Sequence, residues 1–125
     1  METKTSMSQK ILIIDDDARN IFALSATLKA RGYECIAAGS AQQGLALMNN
    51  TPGIGIVLID MMMPEMDGYE AIPRIKQNHD VHVVAVTAQA MTGDREKCLE
   101  AGADDYISKP INVDKLFSII NAQLK

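Results

Sequence analysis

The sequence predicts a doubly wound α/β domain, (βα)5, built on a parallel sheet in the strand order 2-1-3-4-5. Short β-branched apolar runs alternate five times with longer stretches of helical periodicity. The strand runs are apolar almost throughout, as strands buried on both faces are. The chain has 125 residues, 47% hydrophobic and 22% charged, which is the scale and composition of one globular domain. Right-handed crossovers leave five such units few topologies, and the doubly wound order is the expected one.

The elements follow in order. Residues 1–9, METKTSMSQ, are polar and read as a flexible leader, with the domain running over residues 10–125. Ile11 to Ile14 form the first strand, which stops at Asp15-Asp16-Asp17. A helix is expected from about Ala18 to Arg31, with Gly32 as its stop. Tyr33 to Ala38 are the second strand; Ser40 and Gln43 then have capping-box spacing for a helix reaching about Asn49. Thr51-Pro52-Gly53 break the chain before the third strand, Ile54 to Ile59, which ends at Asp60.

The loop Met61 to Asp67 leads to a helix over Gly68 to Gln77, in which Pro73 should force a late start or a kink. Val81 to Val86 form the fourth strand, ending at Thr87, and a helix over Gly93 to Ala101 closes at Gly102. Tyr106-Ile107-Ser108 make a short fifth strand before Lys109-Pro110. Asn112 can cap the last helix, whose Val113, Leu116, Phe117 and Ile120 form an apolar stripe.

Composition excludes several function classes. The longest apolar run, Ile54 to Ile59, is far below the ~20 residues of a membrane span. A net charge of −4 with scattered Lys and Arg is the wrong balance for gripping a phosphate backbone. Cys35 and Cys98 lack metal or redox spacing and are expected buried and reduced, as in a cytoplasmic protein.

Chemistry gathers where the strands end. In an open α/β sheet the binding crevice lies beyond the carboxyl ends of the strands, at the switch point between the first and third. There the sequence places Asp15 and Asp16, Asp60, Thr87 and Lys109. Crowded carboxylates repel unless a cation lies between them, and hard oxygen ligands suit Mg²⁺. Lysine adds a compact positive charge, and threonine can donate to a bound anion. Such parts serve phosphoryl transfer, with a carboxylate able to act as the nucleophile.

These residues resemble a known family. Ile11-Leu12-Ile13-Ile14-Asp15-Asp16, Asp60 to Gly68 (DMMMPEMDG), Val86-Thr87-Ala88 and Lys109-Pro110 look like the signature of response-regulator receiver domains. The resemblance implies the flavodoxin-like fold and a phosphoryl group accepted on Asp60 from a histidine of a sensor kinase or phosphotransfer protein. It implies Mg²⁺ held by Asp16, Asp60 and the backbone carbonyl of Met62, with Asp15 acting through water. Lys109 would contact the phosphoryl oxygens, Thr87 and Tyr106 would form the switch, and the Lys109–Pro110 bond would be cis. The responding surface would be the face of the fourth helix, fifth strand and fifth helix, which controls protein–protein contacts. Ile111 departs from the family, where many relatives carry Phe.

Other residues read more plainly. Asp17 is expected to cap the first helix, His79 to lie in a solvated turn, and His82 to be a satisfied, half-buried strand residue. Phe22 lies about 160° round the first helix from Leu24, so it should be exposed beside the acidic rim as a docking anchor for the phosphodonor. Met62 and Gln89, two residues beyond Asp60 and Thr87, hold the positions that influence phosphate loss in the family; apolar Met62 predicts slow self-hydrolysis. The expected protein is a stand-alone regulator or the receiver of a hybrid kinase, without DNA binding. A haloacid-dehalogenase-type phosphatase is the enzyme rival, through Asp15-x-Asp17, but Arg19 departs from its pattern. No Gly-rich phosphate loop follows the first strand, against a nucleotide-binding module. A pseudo-receiver used only for docking need not keep the full set of acids, threonine and lysine.

Overall fold

The computed structural model describes residues 9–88 and 93–123; all but the last residue of the expected leader lies outside them. Strands β1 (Lys10–Ile14), β2 (Glu34–Ala38), β3 (Ile54–Asp60), β4 (His82–Thr87) and β5 (Asp105–Ser108) form one sheet, ordered β2-β1-β3-β4-β5. Every pairing is parallel. Helices α1 (Ala18–Ala30), α2 (Ala41–Asn50), α3 (Gly68–Asn78), α4 (Asp94–Glu100) and α5 (Val113–Gln123) complete the five βα units. This is the doubly wound arrangement the alternating pattern predicts.

Strand side chains alternate between faces, so each strand feeds two cores. Leu12, Ile14, Val57, Ile59, Val83 and Ala85 pack with Met48 of α2, Ile72 and Ile75 of α3 and Cys98 of α4. Their neighbours Ile11, Ile13, Ile56, Leu58, Val84 and Val86 pack with Leu28 of α1 and Leu116, Phe117 and Ile120 of α5. Burying each Leu or Ile contributes roughly 1.5–3 kcal/mol. Two apolar layers therefore cover both faces of the sheet beneath its polar rim.

Caps fix where the helices begin. The Asp17 carboxylate accepts the Arg19 N–H at 2.9 Å, and Asn112 accepts the Lys115 N–H at 3.0 Å. Ser40 accepts the Gln43 N–H at 3.1 Å, but Gln43 reaches back to the Gly39 N–H at 2.7 Å, one residue beyond the N-cap that a capping box would engage. Gly102, at φ 116°, provides the left-handed turn after α4.

Two expectations need correction. Of the late start or kink expected at Pro73, the late start does not occur: α3 begins at Gly68 and runs through Pro73. Asp67 caps it through the Glu70 N–H at 3.0 Å, Pro73 sits on the exposed side, and Ala71, Ile72 and Ile75 are buried. Those contributions offset the ~3 kcal/mol or more that an interior proline costs. Val113 is exposed, and the buried stripe of α5 starts at Leu116.

Candidate functional site

The ladder continues past the strand ends and sets the rim. The Asp15 N–H donates to the Ala38 carbonyl at 3.1 Å, the Met61 N–H to Val86 at 2.9 Å, and the Lys109 N–H to Thr87 at 2.7 Å. Backbone bonds thus fix each polar residue relative to the neighbouring strand. The sheet brings Asp15, Asp16, Asp60 and Lys109 together: one carboxylate oxygen from each aspartate lies within 4.8 Å of the others. Lys109 Nζ is 3.6 Å from both Asp15 Oδ2 and Asp60 Oδ2. Lys109-Pro110 is a cis bond.

Burial divides the acids. Asp15 is 3% exposed and Asp60 6%, whereas Asp16 lies open to solvent. Asp15 Oδ1 accepts the Asp17 N–H at 2.9 Å, and its Oδ2 accepts from Asn20 Nδ2 at 3.5 Å. Asp60 Oδ1 accepts the Met62 N–H at 3.1 Å. Burial pushes the Asp60 carboxyl above its ordinary range; the Met62 N–H opposes this, the Asp15 charge adds to it, Lys109 opposes it and Asp16 adds to it. Three carboxylates against one ammonium leave excess negative charge, and all three offer hard oxygen. That donor set fits a divalent cation such as Mg²⁺.

Thr87 ends β4 and is buried at the rim. Tyr106 stands opposite Ala85 in the β4–β5 register, and its hydroxyl donates to Asp94 Oδ2 at 3.2 Å. Met62 is exposed beside Asp60, and Gln89 lies outside the described residues. Phe22 is 76% exposed on α1, as its helical position predicts. Phe22 does not line the groove of about 290 Å³ that runs between α1 and the loop after β5, whose walls include Asp15, Leu24, Thr27, Lys109, Ile111 and Val113.

The bland readings hold for three residues. Asp17 caps α1 rather than joining the acidic triad, which removes the paired aspartates the phosphatase rival requires. His82 Nε2 is 2.5 Å from Asp105 Oδ2, and His79 Nε2 is 3.1 Å from Asn49 Oδ1. Sequence reasoning missed Asn20, whose position one turn into α1 was the available signal. It also missed Asp94, which looks like an ordinary acidic residue in a helix's first turn but is buried between two tyrosines.

The family model described as response regulator receiver domain matches residues 11–121. The chain is 38% identical over 125 residues to "Hybrid signal transduction histidine kinase I" of Dictyostelium discoideum, covering 93% of this chain and 7% of that protein. It is 36% identical over 116 residues to "Transcriptional regulatory protein CpxR" of Escherichia coli (strain K12), covering 93% of this chain and 49% of that protein. The chain therefore spans about half the length of this regulator and a small part of the kinase. The structure superposes on the receiver domain of the Francisella response regulator 1452 with a TM-score of 0.85 and 29% identity, covering 93% of this chain and 96% of that one. No helix among the described residues is long and apolar enough to cross a membrane. Fold, rim and sequence agree, and the chain belongs to the response regulator receiver domain family.

Proposed function

We propose that the chain is the phosphoacceptor switch of a His–Asp relay, with Asp60 as acceptor. The supporting observation is the convergence of Asp15, Asp16, Asp60 and Lys109 from three strand ends on one spot. An Asp60 oxygen attacks the phosphorus of a phosphohistidine in line; the P–N bond breaks, an acyl phosphate forms, and the imidazole takes a proton from solvent. Lys109 Nζ, already near the acceptor oxygen, meets the charge on the transferring group. Asp16, Asp60 and the Met62 carbonyl would hold Mg²⁺ directly and Asp15 through water; when bound, the ion neutralises and orients the phosphoryl oxygens.

The new anion then draws the Thr87 hydroxyl, and Tyr106 turns inward into the space released. The surface of α4, β5 and α5 changes with it and alters protein contacts. The chain catalyses only its own phosphorylation and dephosphorylation. It acts in the cytoplasm, as a stand-alone regulator or as the receiver of a hybrid kinase, and does not itself bind DNA; its net charge of −4 supports that.

The phosphodonor is a helix carrying the histidine, from a sensor kinase or phosphotransfer protein. Its docking surface is α1, either at the exposed Phe22 or, on the other side of that helix, in the groove between α1 and the β5–α5 loop. Asp15 and Lys109 line that groove, and Lys109 Nζ is 3.6 Å from Asp60 Oδ2, which supports placing the donor there.

Acetyl phosphate labelling with and without EDTA tests this reading. Wild type should label only with Mg²⁺ present, and Asp16→Ala, which leaves the acceptor in place, should label at least about tenfold more slowly. Equal labelling in EDTA would overturn the metal-assisted mechanism.

A further inference from the structure

Asp94, the first residue of α4, is 6% exposed and makes no salt bridge among the described residues. Its two oxygens are divided between two phenols. Tyr69 of α3 donates to Oδ1 at 3.1 Å, and Tyr106 of β5 donates to Oδ2 at 3.2 Å. One carboxylate therefore ties three elements together. Fully buried Cys98 stands one turn further along α4, with Sγ 4.0 Å from the Tyr69 oxygen. Gly93, at the N-cap of α4, supplies no side-chain cap, and the two phenols tie the first residue of this short helix to α3 and β5.

A buried carboxylate is costly unless hydrogen bonded, and bonds to an ionised acceptor are about twice as strong as neutral ones. Rotation of Tyr106 away from this position removes one of the two donors and leaves Asp94 under-solvated. The phospho-switch reading above requires such a rotation. Resting on that reading, we propose that Asp94 is a positioning residue that restrains Tyr106 before phosphorylation and so sets how readily the switch turns. Burial, and then the Asp94 charge, push the Tyr106 hydroxyl above its ordinary value, as expected of a phenol kept protonated as a donor. Tyr69 is the second arm: it fixes the carboxylate so that Oδ2 faces β5.

The chain contains three tyrosines, so 3-fluorotyrosine labelling of the full chain gives three ¹⁹F signals, assignable by single Tyr→Phe variants. Tyr33 is the internal control, because it stacks on Phe117 on the opposite face of the sheet. The probe is beryllofluoride with Mg²⁺, titrated as a phosphoryl mimic. In wild type the Tyr106 signal should move on saturation while that of Tyr33 stays.

In Asp94→Ala the unliganded Tyr106 signal should already lie toward the saturated position, and half-saturation should fall about tenfold. Asp94→Asn, which keeps neutral contacts to both phenols, should lie between. Tyr69→Phe should shift in the same direction by less, and decides the matter alone if Asp94→Ala fails to fold. If wild type responds but Asp94→Ala and Tyr69→Phe both match it, the restraint is refuted and the triad is only a structural tie. If wild type does not respond, or Asp60→Asn responds equally, the phospho-switch reading itself fails.

Discussion

At the rim, three acids face one lysine at close range, and each has a different neighbourhood. Asp15 is held by the Asp17 N–H and Lys109, Asp60 is buried against the Met62 N–H, and Asp16 faces water. The excess charge destabilises the fold when no cation is bound. Asp60→Asn should therefore melt about 3 °C higher than wild type in EDTA, and saturating Mg²⁺ should close the gap. Lys109→Ala should slow acetyl phosphate labelling by about 10²-fold, read from a labelling time course. Met62 offers no polar group to orient a water, so the aspartyl phosphate should persist for minutes or longer; Met62→Asn should shorten its decay several-fold. The positions of Asp15, Asp60 and Lys109 at the rim are legible in sequence because a charged residue ending an apolar strand is conspicuous. Asp94 is not legible, because its donors come from α3 and β5, 25 and 12 residues away in the chain.

Loops and helices position those residues, and their tolerances are specific. A Cβ on Gly68 would lie 2.9 Å from the Met61 Cα and 2.4 Å from its sulfur, so α3 starts hard against the loop that carries Met62. Gly68→Ala should displace that loop, lowering both the melting temperature and the labelling rate of Asp60. Lys76 of α3 reaches Asp104, just before β5, at 2.7 Å, and the Val83 N–H donates to the same carboxylate at 2.9 Å. Partial burial raises the Asp104 carboxyl, but the Lys76 bond, the Val83 N–H and the lysine charge outweigh it, so its value is lowered. A lowered carboxylate contributes stability that is complete above its unfolded value, about 3.9, and is lost as pH falls through the folded value. Melting curves from about pH 4 to about pH 2 should fall less steeply for Asp104→Asn than for wild type. Pro73 shows the limit of local rules: read alone it argues for a late start or a kink, but the start is not late, because a good cap and three buried side chains carry the helix from Gly68 through it.

At the scale of the fold, two apolar cores cover the two faces of the sheet and leave one polar edge at the strand ends. Its topology was legible because each unit pairs a short, nearly continuous apolar run with a stretch of 3.6-residue periodicity, and right-handed crossovers order the units. The rim followed, since parallel strands place all their carboxyl ends on one side. What the sequence leaves hidden is lateral: which helix faces meet, why Val113 opens onto a groove instead of joining the α5 stripe, and how a single carboxylate links Tyr69 to Tyr106. Such contacts depend on side chains from distant segments, which no local pattern encodes. The central claim, that Asp60 receives the phosphoryl group, is tested most directly by intact-mass measurement after acetyl phosphate and Mg²⁺ treatment, with mapping of the modified peptide. Wild type should gain one phosphoryl group on the peptide containing Asp60, and Asp60→Asn none; a phosphoryl group retained by Asp60→Asn at the wild-type level would contradict the account.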